Sequence, residues 1–493
     1  MPEHDSLYAA FKAKDSRFDG RFFVGISTTG IYCRPICKAR QPKAENCSFY
    51  STAAEAEQAG YRPCLLCRPE IAPGASITDA TAALARKAGR MLEENCGSGQ
   101  SLETLAGRLG CTSRHLRRVF TAEYHVSPVQ YLQTCRLLLA KNLLTDTNLS
   151  VLDVALAAGF GSLRRFNDLF KHHYRLSPTA LRKRVAEGKQ QSTDITLSLG
   201  YRPPYRYDEI LRFLAGRAIP GVEVIKDHAY WRTVCMQNAD KEPVCGWINV
   251  SHAPGRNALT VTLSEALLPV LPQVLAKVRH LFDLYCNPEA IDETLSAMNA
   301  IRPALCVAGT RLPGSFQPFE MAVRAVLGQQ ISVKAASTLA GRFVDAFGTP
   351  VKTEVAGLTH IFPSPKDILA LGEPVEQHLG PLGITAMRAR TIRALAKAFA
   401  NGEIEFDVPT EPETEMKKLL AIPGIGSWTA QYIAMRTMEW PDAFLETDAG
   451  VKKALAPHSS KELLQMAEAW RPWRSYATIN LWNARQAEER TED

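Results

Sequence analysis

Four cysteines near the start of this 493-residue chain, Cys33, Cys37, Cys64 and Cys67, are spaced C-x3-C, a 26-residue gap, and C-x2-C. A tetrahedral zinc needs four soft ligands converging at about 2.3 Å on one ion, and two close-spaced thiolate pairs on short turns supply them. The expected cofactor is one Zn2+. On spacing alone the simplest role is structural, a clip that lets a small domain fold. A second pattern lies towards the other end: Leu420-Ala421-Ile422-Pro423-Gly424-Ile425-Gly426-Ser427-Trp428-Thr429-Ala430-Gln431-Tyr432. Two helices joined by a Pro-Gly-Ile-Gly turn make a helix-hairpin-helix. Gly424 and Gly426 let the backbone approach a phosphate closely, and the amides opening the second helix offer donors at the positive end of its dipole. Trp428 and Tyr432, four apart, share one helical face, which by default is core. Asp448, sixteen residues past Tyr432, reads on its own as a helix N-cap.

These residues need several bodies to hold them. A chain of 493 residues is too long for one ordinary core, so three or four domains are expected. No apolar run approaches a membrane span, and Met1-Pro2-Glu3-His4-Asp5 lacks the basic start of a secretory signal. Eight further cysteines (Cys47, Cys96, Cys111, Cys135, Cys235, Cys245, Cys286, Cys306) show no pairing pattern and read as free thiols of a reducing cytosol. The net charge of +7 is unevenly placed: residues 81–190 hold 17 Lys/Arg against 8 Asp/Glu, the electrostatic footprint of nucleic-acid binding. Within that segment Arg114, Phe120, Tyr124, Ser127 and Pro128 recur 50 residues later as Arg164, Phe170, Tyr174, Ser177 and Pro178. Each copy reads as a short helix, a turn, and a second helix capped by Thr112 or Ser162, with a long helix around 128–144 between copies. Two helix-turn-helix units on one connector can enter successive major grooves of a duplex. A linker is expected at 187–193, then an α+β segment to about 305 with a helix from about Leu271 to Tyr285, then an all-helical region over 315–489.

The text around the cysteines, Thr28-Thr29-Gly30-Ile31-Tyr32-Cys33-Arg34-Pro35-Ile36-Cys37 and Tyr61-Arg62-Pro63-Cys64-Leu65-Leu66-Cys67-Arg68-Pro69, resembles the amino-terminal domain of the Ada family over about 73 residues. The resemblance implies that Cys33 removes a methyl group from a DNA phosphotriester. Metal coordination keeps such a sulfur as thiolate, and methylation halves the −2 charge of a zinc centre with four thiolates, so DNA binding tightens. The repeat resembles the AraC family of transcription activators over about 100 residues. That implies base contacts from Arg114, His115, Arg117, Arg164, Arg165 and Asn167, whose bidentate geometry suits guanine or adenine, and RNA polymerase as a partner besides double-stranded DNA.

From 195 onward the chain resembles the alkylpurine branch of the helix-hairpin-helix DNA glycosylases, the 3-methyladenine DNA glycosylase II type. The match rests on the hairpin with Asp448 after it, and on Val323-Arg324-Ala325-Val326-Leu327-Gly328-Gln329-Gln330 and Trp470-Arg471-Pro472-Trp473-Arg474. It implies that Asp448 is the catalytic carboxylate, stabilising oxocarbenium character on the sugar. Phe213, Trp428, Tyr432 and Trp482 are then a base pocket that favours cationic alkylpurines. Lyase members carry a lysine at position 428. Trp428 implies hydrolysis that stops at an abasic site. The loop at Gln329 and Gln330 is expected to plug the gap left by a flipped base, although Gln330 stands where a relative has an aliphatic wedge, and Ala449 replaces a bulkier aromatic. The Pro-Cys-His-Arg string of an O6-alkylguanine transferase is absent.

The expected fold is multidomain and mainly α. A small four-cysteine zinc domain (α+β) covers 1–75, two helix-turn-helix units cover 80–187, an α+β glycosylase N-domain covers 195–310 and an all-α helix-hairpin-helix domain covers 311–489. The expected localisation is the bacterial cytoplasm, with the nucleoid. Two rival readings are a regulator with structural zinc and an inactive carboxy-terminal half, and a glycosylase/lyase for oxidised bases.

Overall fold

A computed structural model describes residues 4–14, 18–19, 22–50, 53–67, 69, 77–97, 101–186, 195–238, 240–406 and 412–492; the expected linker at 187–193 lies outside them. At the amino terminus four short strands, β1 (Phe23–Ile26), β2 (Ile31–Cys33), β3 (Cys47–Tyr50) and β4 (Arg62–Pro63), form a sheet in the order β3-β1-β2-β4. Cys33 ends β2 opposite Val24 of β1. Helix His4–Ala13 lays Leu7, Ala10 and Phe11 into the core.

The repeat is visible as geometry. Thr112 and Ser162 accept from the His115 and Arg165 amides, capping helices Ser113–Tyr124 and Leu163–Tyr174. Both helices end in a left-handed residue, His125 (φ 59°) and Arg175 (φ 54°). Phe120 and Phe170 are fully buried at equivalent places. The connector runs over Pro128–Asp146, opened by a reciprocal Ser127–Gln130 capping box with proline in its first turn.

Strands β5 (Ile195–Gly200), β6 (Glu223–Lys226), β7 (Ala229–Gln237), β8 (Pro243–Ala253) and β9 (Ala258–Leu263) make a five-stranded antiparallel sheet in the order β5-β9-β8-β7-β6. A buried ionic cluster ties it to helix Pro318–Leu327: Arg232 donates to Glu320 at 2.8 Å, and Arg324 pairs with Glu223 and Glu320. The rest is helical, with three departures from expectation. A two-stranded ladder, β10 (Thr349–Pro350) with β11 (His360–Ile361), interrupts the helices. The helix from Leu271 stops at Leu281, because Asp283 turns left-handed (φ 51°) and its carboxylate takes the Leu312 amide and the Tyr476 hydroxyl, both at 3.0 Å. Cys235 and Cys245 are not free thiols. The β7–β8 register sets them opposite each other, Cα atoms 4.0 Å apart, as a disulfide.

Candidate functional sites: a thiolate quartet and an aspartate between two indoles

Strand β2, the turn after it, and the turn after β4 deliver Cys33, Cys37, Cys64 and Cys67 to one point, with all four Sγ atoms within 4.8 Å of one another. A tetrahedral zinc with bonds of about 2.3 Å fits among sulfurs at that spacing. Cys33 and Cys37 are each 2 % exposed, and Cys67 is the most open of the four. Hydrogen bonds shared among the sulfurs pull Cys37 down to about 2, while that same sharing and burial push Cys33 far up. Four packed sulfurs cannot all be anionic unaided, so the donor set calls for a divalent metal. Arg34, 5 % exposed, braces the site. Its amide donates to Cys67 Sγ at 3.3 Å, and its guanidinium donates to the Cys67 carbonyl at 3.3 Å and to the buried Asp19 at 2.9 Å. Cys47, outside the quartet, is an ordinary buried thiol pushed up to about 11 by burial.

Asp448 is the N-cap of helix Ala449–Ala454: its Oδ1 accepts from the Gly450 and Val451 amides at 2.8 and 3.0 Å. The capping carboxylate has further partners. Oδ1 also accepts from Trp482 Nε1 at 2.9 Å and Oδ2 from Trp428 Nε1 at 3.2 Å. Oδ2, with its one long donor, is the freer oxygen. Gly450 is required by this crowding, since a Cβ there would meet Trp482 Cδ1 at 2.9 Å and Asp448 Oδ1 at 3.0 Å.

The expected aromatic group assembles around that carboxylate. Trp428 stacks on Tyr432 (ring centres 5.1 Å apart), Tyr432 meets Trp482 edge-on at 6.3 Å, and Phe213 stacks on Trp482 at 6.0 Å. Two arginines that the sequence analysis did not single out share the space. Arg436 is 5 % exposed and donates to the Tyr432 hydroxyl, Pro313 O and Gly314 O, and Arg217 lies over Phe213. Burial raises the Tyr432 phenol, but Arg436 and Arg217 beside it more than offset this, and its net shift is downward. Spacing held a signal for both, as Arg217 follows Phe213, and Arg436 follows Tyr432, by four positions.

The hairpin's two glycines differ in their reasons. Gly424 has φ +90°, and a Cβ would strike Thr391 Oγ1 at 2.1 Å. Gly426 would meet nothing within 4 Å, so only an approach from outside needs it bare. It caps helix Ser427–Thr437 with no side-chain partner for the first amides. Gln329 donates to Gly424 O at 2.9 Å and Thr429 Oγ1 at 3.1 Å, binding its loop to the hairpin. Gln330 is exposed in the left-handed region (φ 54°). On the repeat helices Arg114, Arg117, Arg164 and Arg165 are exposed, and His115 and Asn167 are partly buried.

Profiles of known families match four stretches: the metal binding domain of Ada (6–70), a helix-turn-helix domain (105–184), the AlkA N-terminal domain (196–317) and the HhH-GPD superfamily of base excision DNA repair proteins (323–471). The chain is 38% identical over 489 residues to a probable bifunctional transcriptional activator/DNA repair enzyme AlkA of Mycobacterium tuberculosis, covering 97% of this chain and 96% of the relative. It is 36% identical over 285 residues to DNA-3-methyladenine glycosylase 2 of Escherichia coli, 58% of this chain and 96% of that one. Over 137 residues it is 37% identical to the Escherichia coli bifunctional transcriptional activator/DNA repair enzyme Ada, 27% of this chain and 36% of that protein. No helix among the described residues is long and apolar enough to cross a membrane.

Proposed function

The chain belongs to the family of bifunctional transcriptional activator/DNA repair enzymes to which its mycobacterial relative belongs, and from that footing we propose one protein that records alkylation damage at one end and excises it at the other. It is a DNA-3-methyladenine glycosylase of type II joined to an Ada-type methyl-accepting zinc domain and a DNA-binding activator segment.

In excision, the duplex backbone rests on the hairpin amides at Gly424 and Gly426, and the damaged nucleotide leaves the stack, which costs a few kcal/mol. The loop at Gln329 and Gln330 fills the gap. The flipped base lies among Phe213, Trp428, Tyr432 and Trp482. As the N-glycosidic bond breaks, positive charge grows on the sugar. Asp448 stabilises it through Oδ2 and orients the attacking water, while two amides and two indoles hold the carboxylate still. Three of its four donors sit on Oδ1, so the anion acts better as a fixed charge than as a nucleophile. With Trp428 in place of an amine the reaction ends at an abasic site. The observation that carries this reading is Asp448 held between the Trp428 and Trp482 indoles at the edge of an aromatic group.

In sensing, Cys33 Sγ attacks the methyl carbon of a phosphotriester: the S–C bond forms, the C–O bond breaks and a phosphodiester anion leaves. Bound zinc keeps the attacking sulfur anionic. Loss of one negative charge then favours promoter binding by Arg114, His115, Arg117, Arg164, Arg165 and Asn167, with RNA polymerase recruited in the cytoplasm. The deciding experiment measures base release from methylated duplex by wild type and by Asp448→Asn. Undiminished release by the variant overturns the catalytic assignment.

A further inference from the structure

The aromatic group assigned to the flipped base does not present bare faces. The guanidinium carbon of Arg217 lies 3.8 Å from the Phe213 ring centre and 5.5 Å from that of Trp482, and that of Arg436 lies 4.8 Å from Phe213 and 5.6 Å from Tyr432. Two planar cations therefore sit where an electron-rich ring face attracts positive charge. Three of its four rings are covered: Phe213, Tyr432 and Trp482 are 2 %, 8 % and 8 % exposed, while Trp428 is partly exposed. No purine reaches the faces of Phe213 and Trp482 until something moves.

The two arginines are held unequally. Arg436 donates to three oxygens at 2.5 to 2.8 Å from within a helix and is almost fully buried. Arg217 stands past the end of helix Tyr207–Ala215 and is partly exposed. Its guanidinium reaches the Phe213 carbonyl only at 3.4 Å, and its charge acts on the Tyr432 phenol. A long side chain at the solvent edge, on weak tethers, is the part free to swing.

We propose that Arg217 is a resident stand-in for the extrahelical base, and thereby a specificity-determining residue. Its flat cation covers Phe213 and Trp482 until a purine displaces it, and its charge sets the balance between cationic and neutral substrates. This rests on the base-pocket reading above. A purine alkylated at a ring nitrogen adds a third positive charge to those of Arg217 and Arg436 in a water-poor space, where like charges repel more strongly than in solvent. It must drive Arg217 outward. A neutral purine meets no such repulsion and can stack with the guanidinium still nearby. Arg217 thus tempers the preference for cationic adducts that bare aromatic faces would otherwise give.

The test is excision from two duplexes, one carrying 7-methylguanine as the cationic base and one carrying hypoxanthine as the neutral base, using the full-length zinc-loaded protein. The ratio of kcat/KM, cationic over neutral, is expected to rise about threefold to tenfold in both Arg217→Leu and Arg217→Gln, and to stay at the wild-type value in Arg217→Lys. Because a ratio cancels the fraction of protein folded, a partly misfolded variant still reports. Excision at an unchanged or lower ratio in the two uncharged variants overturns the stand-in alone. So does a lysine variant that behaves like the glutamine one. If wild-type protein releases neither base, the pocket reading falls and takes the stand-in with it.

Discussion

The indole of Trp482 donates to Oδ1 of Asp448 at 2.9 Å across 34 positions of chain, an oxygen that also caps the helix beginning at Ala449. One carboxylate oxygen thus carries a structural task, and its twin accepts only the Trp428 indole, at 3.2 Å.

That division makes Asp448→Asn an informative substitution. Asparagine caps helices about as well as aspartate, so the helix should persist, but the charge is lost and the new NH2 faces the Trp428 N–H, a donor against a donor. Release of 3-methyladenine should fall at least about 100-fold, with zinc content and promoter binding unchanged.

Gly450→Ala probes the same corner without touching a charge. Its methyl would lie 2.9 Å from Trp482 Cδ1 and 3.0 Å from Asp448 Oδ1, so the indole must shift and its hydrogen bond lengthen. Excision should drop about tenfold or more, with KM less affected than kcat. Full activity in single-turnover assays would show that the contact is not needed.

Sodium borohydride added during turnover should trap no protein–DNA adduct, since the residue at 428 is an indole and a Schiff base needs an amine. A trapped band on a denaturing gel would establish lyase chemistry instead.

Peptide mapping after incubation with methylphosphotriester DNA should find a single methyl on Cys33. The more exposed Cys67 is the instructive alternative, and a methyl there would overturn the assignment. Stripping zinc with a strong chelator should unfold the β1–β4 domain, seen as selective proteolysis of its chain, because the four sulfurs then lose the ion that ties their two turns together. Excision by the carboxy-terminal half should continue.

On the repeat helices, Arg165→Ala should cost about 1–3 kcal/mol of promoter affinity and relax specificity at one base pair if the side chain reads a base edge. A loss equal on all sequences, with a shallower dependence on salt, would identify a phosphate contact. Filter binding at several salt concentrations separates the two.

What could be read from the sequence was what depends on short spacing. Cys33-x3-Cys37 and Cys64-x2-Cys67 specify a ligand set by themselves, and the Thr112 and Ser162 caps follow from one hydroxyl before one apolar period. The Pro-Gly-Ile-Gly turn likewise announces its own backbone. Tertiary register was not legible. Nothing in a ten-residue separation says that Cys235 and Cys245 face each other until β7 and β8 pair. The early end of the helix at Leu281 depends on Asp283 finding partners at 312 and 476. Arg217 and Arg436 carried only the weak signal of standing four positions after Phe213 and Tyr432, and each looks like a solvated charge until residues 213, 432 and 482 meet.

The Gln329 side chain has a mechanical consequence. By donating to the Gly424 carbonyl and the Thr429 hydroxyl, it makes the 329–330 loop and the hairpin turn parts of a single jaw. A jaw without a joint cannot clasp first and pry later. If the turn holds the duplex backbone and the loop fills the gap, as proposed, then seating on the duplex and levering a nucleotide outward become one motion.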